Sequence, residues 1–182
     1  MKLSFFSLAS GSSGNCYYLG TPDFGILIDA GISFRTIKKV LKDNNIDISK
    51  IAAVLVTHDH ADHIKTVGYL GEKMYLPIYS TADVHRGIDN SRYVEETLNG
   101  SRRIIQKEVP FMIRDFSIVA FEVPHDSTDN VGYHICYKDH KFTFATDVGH
   151  ITDTVKKYMS MANHLIIEAN YDEEMLKFGT YP

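Results

Sequence analysis

Six consecutive residues, His58-Asp59-His60-Ala61-Asp62-His63, carry three imidazoles and two carboxylates. Imidazole nitrogen and carboxylate oxygen are ordinary donors for zinc, iron and manganese. The six follow the run Ile51-Ala52-Ala53-Val54-Leu55-Val56-Thr57, which has the apolar, β-branched character of a strand buried on both faces. His58 and His60 stand two apart and so point the same way in an extended chain. Asp62 and His63 fall where Ile64, Val67 and Leu70 begin a helical spacing, so they project from a helix N-terminus towards the same place. His58, His60, Asp62 and His63 are more donors than one ordinary site takes from a single segment, which points to two adjacent ions. The competing reading is a histidine cluster on a solvated loop, and the fixed spacing favours metal. Two cations about 3.5–4 Å apart bring a bridging water towards ionisation at neutral pH, and they stabilise the charge that builds on the attacked centre. The chemistry expected is hydrolysis by a metal-bridging hydroxide.

The rest of the chain must bring partners to this point. Leu3 to Leu8 and Cys16 to Leu19 read as strands joined by Ala9-Ser10-Gly11-Ser12-Ser13-Gly14-Asn15. That loop is either a flexible connection or a nest of backbone N–H groups for an anion, and its Gly/Ser content favours the connection. The strand Ile26-Leu27-Ile28 ends at Asp29, which is either a turn cap or a carboxylate orienting a ligand histidine. Ser33 caps a helix from Phe34 to Lys42 whose face Phe34, Ile37, Val40, Leu41 is core. Leu76 to Tyr79 is a short strand, and Thr81 opens a helix carrying His85, a surface or packing histidine. From Gly87 to Gln106 there is little periodicity. Arg86, Arg92, Arg102, Arg103 and Lys107 around it form either a solvated face or a local basic patch for phosphates. Strands then run over 109–113 and 116–123, the second ending at His125. A hairpin over 131–137 and 141–146 ends at Asp147, either a turn former or a metal ligand. Thr152 and Asp153 start a helix to Met161, and a last strand spans His164 to Glu168.

Length and composition set the limits. The 182 residues fit one domain, 1–182, with enough chain for a real core. Hydrophobic residues make up 44% and charged ones 23%, as in soluble globular proteins. Lys+Arg 19 against Asp+Glu 23 gives a net charge of −4, so any phosphodiester ligand must meet a local patch, not a global basic field. The two cysteines, Cys16 and Cys136, are far apart and form no metal-binding pair; they read as thiols of a reduced, cytoplasmic chain. No apolar stretch approaches the roughly 18 residues of a membrane span, and no signal peptide is evident.

The segment Thr57 to His63, with Asp29-Ala30-Gly31 upstream and Thr146-Asp147 downstream, resembles the metallo-β-lactamase superfamily of metal-dependent hydrolases. The opening Ser7 to Asn15, Val131-Gly132-Tyr133 and Glu168-Ala169-Asn170-Tyr171-Asp172 resemble its YycJ/WalJ-like branch. The resemblance implies an α/β fold, an αβ/βα sandwich of two mixed sheets with helices outside. It also implies two divalent ions, usually zinc, in some members manganese or iron. Residue by residue, His58, His60 and His125 would hold one ion and Asp62 and His63 the other, with Asp147 bridging. Asp62, His63 and Asp147 are then the residues expected to carry catalysis. Asp59 either fixes a ligand tautomer or, as its position favours, is simply exposed. His134, His140, His150 and His164 match no ligand position. The branch implies a DNA exonuclease. A thioester or ester hydrolase of glyoxalase-II type is the second reading. In the family the chain continues through another helix and strand to a Gly-His-Leu-Ser-Asn segment that completes the second metal site. This chain stops before it, so a non-catalytic metal-binding module is the third reading, and an edge left open would favour pairing with a second copy.

Overall fold

Period-two alternation decides the architecture. In the strands that precede the histidine run, Tyr17, Leu19, Ile26, Ile28, Ala53 and Leu55 pack on one side, while Cys16, Tyr18, Leu27 and Val54 pack on the other. A sheet apolar on both faces must be covered on both. The computed structural model, which describes residues 3–168, shows how. Strands β1 (Ser4–Ala9), β2 (Cys16–Gly20), β3 (Gly25–Ile28), β4 (Ile51–Leu55), β5 (Ile78–Ser80) and β6 (Arg102–Ile104) form one sheet in that order. Its first three strands pair antiparallel, and β3 to β6 pair parallel. The second sheet has the order β11 (His164–Ile167), β10 (His140–Ala145), β9 (Val131–Tyr137), β8 (Phe116–Glu122), β7 (Phe111–Ile113). It is antiparallel except for the β10–β11 pair.

The inner faces meet in one core, where Tyr17, Ile28 and Leu55 of the first sheet pack with Phe116, Ile118, Tyr133 and Phe144 of the second. Outside the first sheet lie α1 (Phe34–Asp43), α2 (Ala61–Ile64), α3 (Val67–Glu72) and α4 (Ala82–Asn90); outside the second lies α5 (Asp153–Met161), packed on Phe121 and Val123. This is the expected four-layer αβ/βα sandwich of two mixed sheets. Ser33 caps α1 by accepting from the Thr36 N–H. The fully buried Ile37 and Leu41 anchor that helix, each side chain worth roughly 1.5–3 kcal/mol. No helix among the described residues is long and apolar enough to cross a membrane.

Several elements differ from the sequence reading, among them the strand expected over 109–113, which is only Phe111–Ile113. The helix expected from Asp62 to Leu70 is two pieces, because the carbonyl of Asp62 and the N–H of Thr66, which would bond each other in a helix, are both taken elsewhere. Asn15 N–H donates to Asp62 O at 2.7 Å and Thr66 N–H to Ala30 O at 2.9 Å. The stretch 87–106 contains β6, a three-residue edge strand too short and too arginine-rich to show periodicity. The strand expected over 76–79 sits later, at Ile78–Ser80. His85 is wholly buried, a packing residue and not a surface one. Ala169-Asn170-Tyr171-Asp172 and the end at Pro182 lie outside the described residues.

Candidate metal centre

All the donors arrive at one end of the sandwich. The first sheet supplies Asp29 just past β3 and the 58–63 stretch past β4; the second supplies His125 past β8 and Asp147 past β10. The ring centroid of His58 lies 4.7, 4.0 and 4.9 Å from those of His60, His63 and His125. Donor atoms of His58, His60 and His125 lie within 4.8 Å of one another, and so do those of His58, His63 and Asp147. Asp62 Oδ2 is 3.6 Å from His63 Nε2. The fold therefore brings together all six residues that the sequence singled out. Asp147 Oδ2, 3.1 Å from His63 Nε2 and 4.0 Å from His58 Nε2, stands between the two groups.

Each imidazole is oriented by its outer nitrogen. Asp29, wholly buried at φ 59°, accepts from the Thr57 N–H, from the Thr57 hydroxyl and from Nδ1 of His63, each at 2.8 Å. The Thr57 hydroxyl, its proton given to Asp29, accepts in turn from His58 Nδ1 at 3.0 Å. His60 Nε2 donates to the Asp126 carbonyl at 3.1 Å, and His125 Nδ1 to the Asp126 carboxylate at 3.1 Å. The other ring nitrogens, His58 Nε2, His60 Nδ1, His63 Nε2 and His125 Nε2, are left facing inward. An acceptor on the far nitrogen is how metal-ligating histidines have their tautomer fixed. Of the two readings of Asp29, the orienting carboxylate is the one its contacts support.

The charges follow from this geometry. Burial, aided by the neighbouring His63, pushes His58 down to about 2, so it is neutral. Burial also opposes charge on His63, but Asp29 and Asp147 outweigh it and push that imidazole up to about 10. Asp147, despite burial, is held well below the usual carboxylate range by His63. It takes a φ of 52°, left-handed backbone that Asp tolerates better than most residues. His58 Nε2 and Asp147 Oδ2 are buried without a hydrogen bond of normal geometry. Such orphaned atoms are uncommon, and a cation between them would supply the missing partner. The donor set therefore fits divalent metal.

Thr57 and Asp126 had no role in the sequence reading, and a third site residue escaped it as well. Asn15, 4% exposed, has its amide locked by Gly11, whose N–H it meets through Oδ1 at 3.0 Å and whose carbonyl it meets through Nδ2 at 3.2 Å. Nδ2 then lies 3.3 Å from Asp62 Oδ2 and 3.0 Å from His63 Nε2. The loop of residues 10–14 is thus tied into the site instead of being a free connection. Its only signal in sequence was an Asn closing a Gly/Ser run. Asp59 is not simply exposed either, and it makes no hydrogen bond to an imidazole of the cluster; it accepts from the Thr128 N–H at 3.2 Å and from the Thr128 hydroxyl. Three of the five cations around the arginine-rich stretch are ion-paired, and Arg92 donates to the Tyr93 hydroxyl at 2.8 Å. Arg86 pairs with Asp83, Arg102 with Asp89 and Lys107 with Asp129, while the Arg103 guanidinium donates to the carbonyls of Gly100 and Arg102.

Comparison with known proteins agrees with this geometry. The family profile described as Beta-lactamase superfamily domain matches residues 25–180. The chain is 32% identical over all 182 residues to a Bacillus anthracis protein named Exodeoxyribonuclease YycJ, covering 68% of it. It is 34% identical over 174 residues, 96% of its length, to Exodeoxyribonuclease WalJ of Streptococcus pneumoniae, covering 65% of that protein. The chain thus spans about two thirds of the length of these curated relatives. Among solved structures, the Rm3 metallo-beta-lactamase shares the fold with a TM-score of 0.71 at 12% identity, over 96% of this chain and 81% of that one. Donors converging from the ends of both sheets, the matched profile and the full-length likeness together make this chain a member of the β-lactamase superfamily, in its YycJ/WalJ-like branch.

Proposed function

We propose that the cluster holds two divalent ions and that the protein is a metal-dependent phosphodiesterase degrading DNA from its ends. The observation that carries the metal reading is two buried atoms in the cluster, His58 Nε2 and Asp147 Oδ2, neither of which makes a hydrogen bond of normal geometry. His58, His60 and His125 would hold one ion, Asp62 and His63 the other, with Asp147 shared. Zinc or iron suits an imidazole-rich set, and manganese is compatible with the carboxylates. When bound, such ions make a water nucleophilic at neutral pH and neutralise charge on the attacked group. The chain's own part is to fix the donors. Asp29, Thr57 and Asp126 set the histidine tautomers, and Asn15 holds Asp62. The side chains of Asp62 and Asp147 are 30% and 20% exposed while those of His58 and His63 are wholly buried, so the substrate approaches across these two carboxylates.

DNA as substrate is supported by the names of the two relatives that match 96–100% of the chain. The unpaired thiols of Cys16 and Cys136 suit a cytoplasmic setting. The test is to strip the protein with chelator, reload it with zinc or manganese, and assay end-labelled DNA, RNA and a thioester panel. Release of mononucleotides from DNA is expected. Turnover of thioesters alone would select the glyoxalase-II-type reading. One metal equivalent or fewer, with no turnover, would select a non-catalytic metal-binding module. His60→Ala should abolish both tight metal retention and hydrolysis; retained hydrolysis would remove His60 from the site.

A further inference from the structure

The residue between the first two histidines makes no hydrogen bond to any candidate donor, yet it is not idle. The Asp59 carboxylate accepts twice from Thr128, once from the backbone N–H at 3.2 Å and once from the hydroxyl. Thr128 lies in the segment between β8 and β9 that carries His125. The segment's other ties surround the same point. Asp129 receives the Lys107 ammonium at 2.6 Å and the Thr81 hydroxyl at 2.8 Å, and the Asp126 carbonyl accepts from His60. On its other side Asp59 fills the space over Gly87 in α4, where a Cβ would lie 2.0 Å from Asp59 Oδ2. The carboxylate is thus wedged between a helix of the first sheet's outer layer and the loop that closes the site from the second sheet.

We infer that Asp59 is a positioning residue, setting the place of His125 by clamping Thr128, and so tuning one metal position without touching the other. The inference rests on the proposed assignment of His125 to the His58/His60 group. Removing an outer partner of this kind weakens metal binding by roughly tenfold to a hundredfold. Here the loss should fall on one binding event only.

The test compares Asp59→Ala, Asp59→Asn and Thr128→Val with His125→Ala. Zinc is titrated into chelator-stripped protein against a chromophoric competitor. Hydrogen exchange of residues 124–130 is followed in the metal-free protein. Asp59→Ala should weaken one of two binding events about 10–100-fold and leave the other unchanged. Thr128→Val, which removes an exposed hydroxyl and spares the fold, should do so more weakly, and Asp59→Asn should fall between wild type and Asp59→Ala. Asp59→Ala combined with His125→Ala should bind no more weakly than His125→Ala alone. Exchange over 124–130 should quicken in Asp59→Ala and Thr128→Val. Equal weakening of both events, additive losses in the double variant, or unchanged exchange would overturn the inference. If the wild-type protein takes up no zinc, the metal assignment fails on its own, and the exchange measurement alone decides whether Asp59 holds the loop.

Discussion

His63 stands between two carboxylates, with Asp29 at Nδ1 and Asp147 beside Nε2, so in the metal-free site it keeps a proton at pH values where an ordinary imidazole has lost it. Its folded value of about 10 lies above the ordinary 6.5. The stability this contributes to the metal-free protein is therefore fully present below about pH 6.5 and is lost as pH rises through about 10. A metal takes the same nitrogen only when that proton leaves. Metal uptake at pH 8 should release about one proton from His63 and none from the already neutral His58. Calorimetry in buffers of different ionisation enthalpy reads this directly, and buffer-independent heats would contradict it. Asp29→Asn should remove most of the signal. The amide can still accept from the Thr57 N–H, but it no longer offers a charged partner to His63. Metal should then bind roughly 10–100-fold more weakly.

The elements explain why some of this was legible in the sequence and some was not. The donors past β4 sit in one contiguous run with a strand's apolar signature before it, and His125 and Asp147 each follow a strand that alternation reveals. What alternation does not encode is a contact between segments distant in sequence. The Asn15 loop, the break between α2 and α3, and the clamp of Asp59 on Thr128 are all set by such contacts. The tightest is at Gly31, where a Cβ would lie 1.5 Å from the carbonyl oxygen of Asp62, while Ala30 N–H donates to His63 O and Gly31 N–H to Asn15 O. The turn after β3 therefore lies directly against α2, and only a hydrogen in place of a side chain permits it. Gly31→Ala should push α2 outward and cost about 1–3 kcal/mol, seen as a lower melting temperature. It should also weaken metal retention, because Asp62 and His63 move with α2. A lowered melting temperature with unchanged metal affinity would show that α2 holds its donors independently of this contact.

At the scale of the whole molecule, the site joins the two sheets. His58, His60, Asp62 and His63 follow a strand of one, and His125 and Asp147 follow strands of the other. Between these groups the direct links include Val131 N–H to Thr57 O at 3.0 Å and the Tyr133 hydroxyl to Val56 O at 2.7 Å. Ions bound across the gap would add a cross-link at this end of the sandwich alone. A ligand at a hundredfold excess over its Kd stabilises the folded state by ~2.7 kcal/mol. For a chain of this size each kcal/mol shifts Tm by roughly 2–4 °C. Chelation should therefore lower Tm by about 5–10 °C. The loss should also be uneven in space. Hydrogen exchange should quicken past the ends of β4, β8 and β10, where the donors sit, while the β2–β3 turn at residues 21–24, at the opposite end of its strands, should hold its protection. An unchanged Tm, or exchange that rises equally at both ends, would mean that the sheets are held together without help from the site.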